Sequence, residues 1–196
     1  MLIAAMVGID TRSTMDLDAT IKGRNLTESE ITTMIGDILN AEVDDNVAFT
    51  FKGIEGIHED ADYPGYRASI EAVLDKTKQT LKVDITAGDF VTPKEVEYSF
   101  HLLFEDRAIS ILAYNLETVL AEKVESIITR GLTNTRMRDF YDIYILTVTQ
   151  SKNYDLSMFS KALKNTAEKR RTTEQLKEAD KVINSINVTS FCARKR

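Results

Sequence analysis

The chain has 196 residues, 43% of them hydrophobic, which is enough for one domain, or one domain with an appended lobe, around a sizeable core. Its single cysteine, Cys192, excludes an internal disulfide framework and the common cysteine-rich zinc sites, fits an intracellular, cytoplasmic setting, and no apolar run is long enough to span a bilayer. The net charge of −6 hides an asymmetry: residues 151–196 carry +6 and the remainder −12.

An acidic body with a basic C-terminal lobe suits metal and nucleotide in one part and RNA in the other. A solvated, lysine-rich helical face would give the same count. Met1 to Val7 reads as the end of a helix closed by Gly8. It is short and lacks a basic leader, so it is a poor signal peptide. From Thr14 to Thr20 polar and apolar residues alternate strictly. In a β-strand this puts Thr14, Asp16, Asp18 and Thr20 on one face and Met15, Leu17 and Ala19 on the other. Two carboxylates on one strand face repel. The usual relief is a divalent cation, and a hard ion such as Mg²⁺ prefers oxygen ligands. The pattern points to a metal site that handles phosphates.

A capping-box spacing follows at Thr27-Glu28-Ser29-Glu30, and Ile31, Met34, Ile35, Ile38 and Leu39 repeat at helical period. Strands are expected over Val47–Ile57, which alternates loosely, and Tyr66–Leu74. A polar turn at Asp75-Lys76-Thr77-Lys78 leads to a cleanly alternating strand, Leu81–Ile85. Val96–Phe104 and Ala108–Ala113 complete the set, with Pro64 and Pro93 between runs, where turns belong. From Asn115 the pattern turns helical. Leu116, Leu120, Val124, Ile127 and Ile128 form a stripe ending at Arg130-Gly131. Met137–Val148, Asp155–Lys169 and Thr173–Ile186 read as three more helices, and Thr189–Arg196 shows no period. Strands first and helices later predict an α+β protein: a core over 1–114 and a C-terminal helical lobe over 115–196.

Asp84 shares a strand face with Lys82 and Thr86, opposite Leu81, Val83 and Ile85. If its strand pairs beside that of Asp16 and Asp18, three carboxylates converge. Metal held there could bind a triphosphate and activate an attacking hydroxyl, which Asp84 would orient or deprotonate. Otherwise Asp84 lies on a solvated face. Lys123 flanks the stripe of its helix and could reach a triphosphate as a point charge, or pair with a surface glutamate. Asp139 and Asp142, three apart, project from one helical face, and Arg138 is placed to pair with Asp142. Acidic residues near a helix start need no further reason than its positive end. His58 and His101 are isolated, and no role is assigned to them.

Four ordered blocks carry a resemblance. They are Arg12-Ser13-Thr14-Met15-Asp16-Leu17-Asp18, Val83-Asp84-Ile85-Thr86-Ala87-Gly88-Asp89, Glu117-Thr118-Val119-Leu120-Ala121-Glu122-Lys123, and Asn134-Thr135-Arg136-Met137-Arg138-Asp139-Phe140-Tyr141-Asp142. From about residue 1 to 150 the sequence resembles the AbiEii/AbiGii-type nucleotidyltransferase toxins, a branch of the polymerase-β-like nucleotidyltransferase superfamily. The resemblance implies a mixed β-sheet flanked by helices, Mg²⁺ or Mn²⁺, and a nucleoside triphosphate. It makes Asp16 and Asp18 the metal-binding pair and Asp84 the third strand carboxylate. It makes Lys123, with Arg12 and Thr14, a nucleotide contact, and Asp139 and Asp142 a late motif required for toxicity. It also implies a separately encoded antitoxin that need not bind the toxin, abortive infection and phage defence, and an acceptor such as tRNA.

In that superfamily a Gly-Gly or Gly-Ser turn at a helix start precedes the aspartate pair and holds the triphosphate on its N–H groups. Here that turn is expected before residue 1, and relatives continue with further helices. The sequence is therefore expected to lack both edges of the family's domain. This leaves a second reading, a catalytically silent protein of the same fold that binds RNA or protein. A phosphohydrolase using similar carboxylates is a third.

Overall fold

The structure is a computed structural model, and it describes residues 2–8, 16–22, 27–43, 46–57, 65–87, 91–102 and 106–185. Contacts within the chain group into two units. The first holds strands β1 (Asp16–Ile21), β2 (Ala48–Ile57), β3 (Gly65–Leu74) and β4 (Thr77–Ala87) with helix α2 (Glu28–Leu39). The second holds α1 (Leu2–Val7), the hairpin β5 (Val96–His101) and β6 (Ala108–Ala113), and helices α3 (Leu116–Arg130), α4 (Met137–Thr149), α5 (Leu156–Lys169) and α6 (Thr173–Lys177). The α+β class expected from the sequence is present. The division in contacts falls after β4, so α1 and the β5–β6 hairpin group with the later helices.

The first unit is a mixed sheet in the order β1-β4-β3-β2. β1 runs parallel to β4, and the other two pairings are antiparallel. Ile31 and Ile35 of α2 pack with Ala68, Ile70 and Ile85 on one sheet face, joined by Ile21, Phe51, Tyr66, Leu81 and Val83. Side chains alternate along each strand, so the polar set of β1, β3 and β4 takes the other face. α2 begins as its sequence dictates: the Thr27 hydroxyl accepts from Glu30 N and the Glu30 carboxylate accepts from Thr27 N, a complete capping box. Ile38, expected in its stripe, is 59% exposed. Leu39, its neighbour in the last turn, packs against the sheet cluster instead.

Some details differ from the sequence reading, and the strand expected over Val96–Phe104 ends at His101. The expected four-residue turn is a two-residue turn, Asp75-Lys76, and β4 starts at Thr77. Residues 77–80 are polar and exposed on both faces, so they show no apolar alternation although they ladder to β3. The loose alternation of β2 has a cause in a register shift between Phe51 and Gly53. The last expected helix is interrupted: α6 ends at Lys177, Glu178 is a turn, and helix resumes over 179–185.

The second unit is built around α3. Leu116, Val119, Leu120 of α3 and Leu146 of α4 are buried together, with Leu2, Ile3, Met6 and Val7 of α1 and Phe159 of α5 against them. α3 starts at Asn115, whose side-chain oxygen accepts from Thr118 N at 2.8 Å while its amide donates to the carbonyls of Thr92 and Lys94. The Asn115 side chain thus ties the segment before β5 to the helix start. Several basic side chains of the C-terminal part are paired, Arg170 with acids outside it and three lysines with glutamates inside it. Arg170 binds the buried Glu125 at 2.6 Å and Glu122 at 3.3 Å, and Lys164, Lys177 and Lys181 pair with Glu168, Glu174 and Glu178.

Candidate functional site

The carboxylates expected from the sequence fall into two groups, one in each unit. In the first, the parallel register places Asp18 opposite Asp84, and Asp16 opposite Lys82. The expected pairing of the two aspartate-bearing strands is present. Asp18 is exposed. The side chain of Asp16 is not among those described, and Arg12 and Thr14 lie outside the described residues. One row further along, the Thr20 and Thr86 hydroxyls are 3.1 Å apart, which fixes the two strands' polar positions on a common face.

Asp84 has a partner that the sequence did not announce. Arg67 of β3 stands opposite it in register, and its Nε and Nη2 donate to Asp84 Oδ1 and Oδ2, both at 2.7 Å. This is a two-pronged, charge-assisted contact, the strongest kind of side-chain pairing. Arg67 in turn stands opposite Glu55 of β2, 3.9 Å from its nearer oxygen. One cross-strand row therefore runs Asp18, Asp84, Arg67, Glu55: three carboxylates and one guanidinium across the whole sheet. The length of the turn decides which residue meets Asp84. A two-residue turn at Asp75-Lys76 pairs Leu74 with Thr77, and stepping back along the hairpin pairs Arg67 with Asp84. The four-residue turn read from the sequence would set Ser69 there instead.

The donor chemistry of this face suits a hard divalent cation. The groups are carboxylates with no sulfur or imidazole among them, and water reaches them. Among the described residues, no three His, Cys, Asp or Glu side chains converge on a single point. Both oxygens of Asp84 are engaged by Arg67, but a carboxylate offers about four lone-pair positions, so the fork does not exhaust it.

The second group joins α3 to α4. Lys123 Nζ is 2.7 Å from Asp139 Oδ1 and 3.2 Å from Asp142 Oδ2. The spacing of three puts Asp139 and Asp142 on one face of α4, and Leu146 continues that face; Asp142 and Leu146 are fully buried. An amphipathic helix would carry apolar residues at all three positions. Lys123, 26% exposed in its side chain, balances one of two buried negative charges. Asp139 Oδ2 is buried without a hydrogen-bond partner, as is Asn134 Nδ2 just before α4. A buried unmade bond of this kind costs about 1–3 kcal/mol, so the carboxylate pair is poor design for stability alone. The surface glutamate pairing considered for Lys123 gives way to these aspartates, and α4 receives Asp139 in its first turn, where the helix dipole favours it.

Fold and site together define an α+β protein whose mixed sheet is covered by a helix on one face and lined with carboxylates on the other, joined in sequence to helices that hold a lysine between two buried aspartates. Residues 1–189 match the family described as "Nucleotidyl transferase AbiEii toxin, Type IV TA system". The chain belongs to that family of nucleotidyltransferase toxins, whose type IV systems pair a toxin with a separate antitoxin. No curated protein matches it at a significant level. Two solved structures match the chain. The crystal structure of JHP933 from Helicobacter pylori is 15% identical, with a TM-score of 0.42, over 99% of this chain and 94% of that one. A candidate nucleotidyltransferase from H. pylori is 17% identical, with a TM-score of 0.43, over 95% of this chain and 79% of that one. Among the described residues no helix is long and apolar enough to cross a membrane.

Proposed function

We propose that this chain is a metal-dependent nucleotidyltransferase that moves a nucleotide from a nucleoside triphosphate to an acceptor such as tRNA, as the toxin of a phage-defence pair in the cytoplasm. The observation that carries the reading is Asp18 lying opposite Asp84 on the sheet face away from α2, in a chain of this family. Asp16, Asp18 and Asp84 would hold Mg²⁺ or Mn²⁺, which when bound supplies charge neutralisation for the triphosphate. Asp84 would also orient the acceptor hydroxyl and take its proton. Lys123 makes two contacts with carboxylates; an ammonium has three donors, and the third is assigned to the nucleotide. Asp139 and Asp142 keep that ammonium in place. Arg12 and Thr14 complete the nucleotide contacts in this reading. The test is incubation with labelled nucleoside triphosphates, Mg²⁺ and total RNA. Asp16→Ala and Asp18→Ala should each abolish label transfer, and transfer that survives either change sinks the assignment of that residue.

One observation favours the second reading, a catalytically silent family member that binds RNA or protein. The charges of Asp84 and Lys123 are both answered internally, by Arg67 and by the two aspartates, as in a structural network. Calorimetry with triphosphate and Mg²⁺ separates the two. Micromolar binding, about −8 kcal/mol, supports the enzyme; no heat supports the silent protein.

A further inference from the structure

We propose that Arg67 is a built-in counter-ion of the carboxylate face: it occupies Asp84 when no cation is bound and gives up Asp84's oxygens to a divalent cation arriving beside Asp18. Arg67 thereby sets how tightly that cation binds. This rests on the reading of Asp18 and Asp84 as a cation site.

Three features of the row support it. First, the contact takes both oxygens of Asp84, at 2.7 Å each, so an incoming cation must displace or share with the guanidinium. Second, the pair is open to exchange, because the Arg67 side chain is 33% exposed and that of Asp84 23%. Third, a second acceptor stands ready on the other side. Glu55 lies opposite Arg67 in register, 3.9 Å away and 66% exposed. A guanidinium released from Asp84 can therefore move towards Glu55 without leaving the sheet face or going unpaired. An isolated exposed ion pair would contribute little to the fold. Here the guanidinium stands between two carboxylates of one row, Asp84 and Glu55, with Asp18 beyond Asp84.

In this role Arg67 acts on the cation through Asp84, and the sign of its effect on cation affinity is diagnostic. A counter-ion competes, so its loss tightens binding. A residue that merely orients Asp84 for the cation would weaken binding when lost. Mn²⁺ titration of the full chain, followed by the electron paramagnetic resonance signal of free Mn²⁺, reads this without any turnover. Arg67→Met should bind Mn²⁺ on the order of tenfold more tightly than wild type, as expected for removing a positive charge within a few ångströms of a cation at a partly screened site. Arg67→Lys, which keeps the charge but not the fork, should fall between the two, and it carries the test if Arg67→Met does not fold. In an Asp84→Asn background the Arg67→Met change should shift affinity less than about twofold, because the competed oxygen pair is gone. Equal or weaker Mn²⁺ binding by both Arg67 variants, with binding still abolished by Asp18→Ala, overturns the inference and leaves the cation site standing. Mn²⁺ binding unaffected by Asp18→Ala removes the cation site, and this inference with it.

Discussion

Replacing Lys123 by methionine should destabilise the helical unit strongly, before any question of activity arises. The change leaves the Asp139 and Asp142 carboxylates facing each other one helical turn apart, with side chains only 6% and 0% exposed. Removing one partner of a buried ion pair costs about 3–5 kcal/mol, since the remaining charge stays buried and unanswered. Lys123 is 26% exposed, so water can partly take its place, and about 3 kcal/mol is the better figure. For a chain of this size about 2–4 °C of melting temperature goes with each kcal/mol, giving a drop of roughly 6–12 °C. Circular dichroism melts at pH 7 measure it. Adding Asp142→Asn to Lys123→Met should recover a large part of the loss, because one buried charge is then removed with its partner. A Lys123→Met melt within about 1 °C of wild type, or a double variant no better than the single one, would refute the reasoning. The result also governs how functional data are read. A Lys123 variant that loses toxicity has lost a nucleotide contact only if the variant is shown to be folded, and Lys123→Arg, which keeps the charge, is the proper companion.

Asn115→Ala should cost about 3 kcal/mol in urea unfolding, since it removes a helix cap and strips a partner from the Thr92 and Lys94 carbonyls; a loss below about 1 kcal/mol would mean that only the cap matters. Thr27→Ala breaks an exposed capping box and should cost only about 1 kcal/mol, read in the same assay. The Glu71 carboxyl sits below its ordinary value because Lys52 on the neighbouring strand donates it a hydrogen bond and sets a positive charge beside it. Its contribution to stability is therefore present above the ordinary glutamate range and fades as pH falls through the depressed value. Lys52→Met should return Glu71 to the ordinary range in a carboxyl NMR titration and remove that part of the acid dependence; an unchanged Glu71 titration would show that Lys52 is not the cause.

What the sequence made legible was local. Thr27 and Glu30 are three residues apart, so their reciprocal hydrogen bonds could be read directly. The alternation of Leu81, Val83 and Ile85 announced the face that carries Asp84, because one buried face leaves a period-two mark. Asn115 and Asp155, both short polar residues before an apolar period, cap α3 and α5 as such residues do. What stayed hidden depends on register or on packing between elements. Arg67 meets Asp84 across a hairpin whose turn lacks the Asn-Gly or Asp-Gly signal, and two residues of error in the turn move the partner to Ser69. The Lys123 bond to Asp139 and Asp142 joins two helices, and nothing in either helix's own period says which neighbour it will face. Asp139 and Asp142 could be placed on one side of α4, but their burial could not be read: charged residues at a helix start look alike whether they meet water or a lysine.

The position of β1 at the end of the order β1-β4-β3-β2 bears on the dynamics of the candidate site. Among the described residues its six have β4 as their sole strand neighbour, whereas β4 and β3 are each held on both sides. In hydrogen-exchange terms β1 can open by itself, leaving the β2-β3-β4 meander closed, and edge segments of this sort open at the low end of the free-energy scale. Asp16 and Asp18 therefore ride on an outer seam of the four described strands. Deuterium uptake by the β1 amides, compared with those of β3, reports directly on how often that seam is closed.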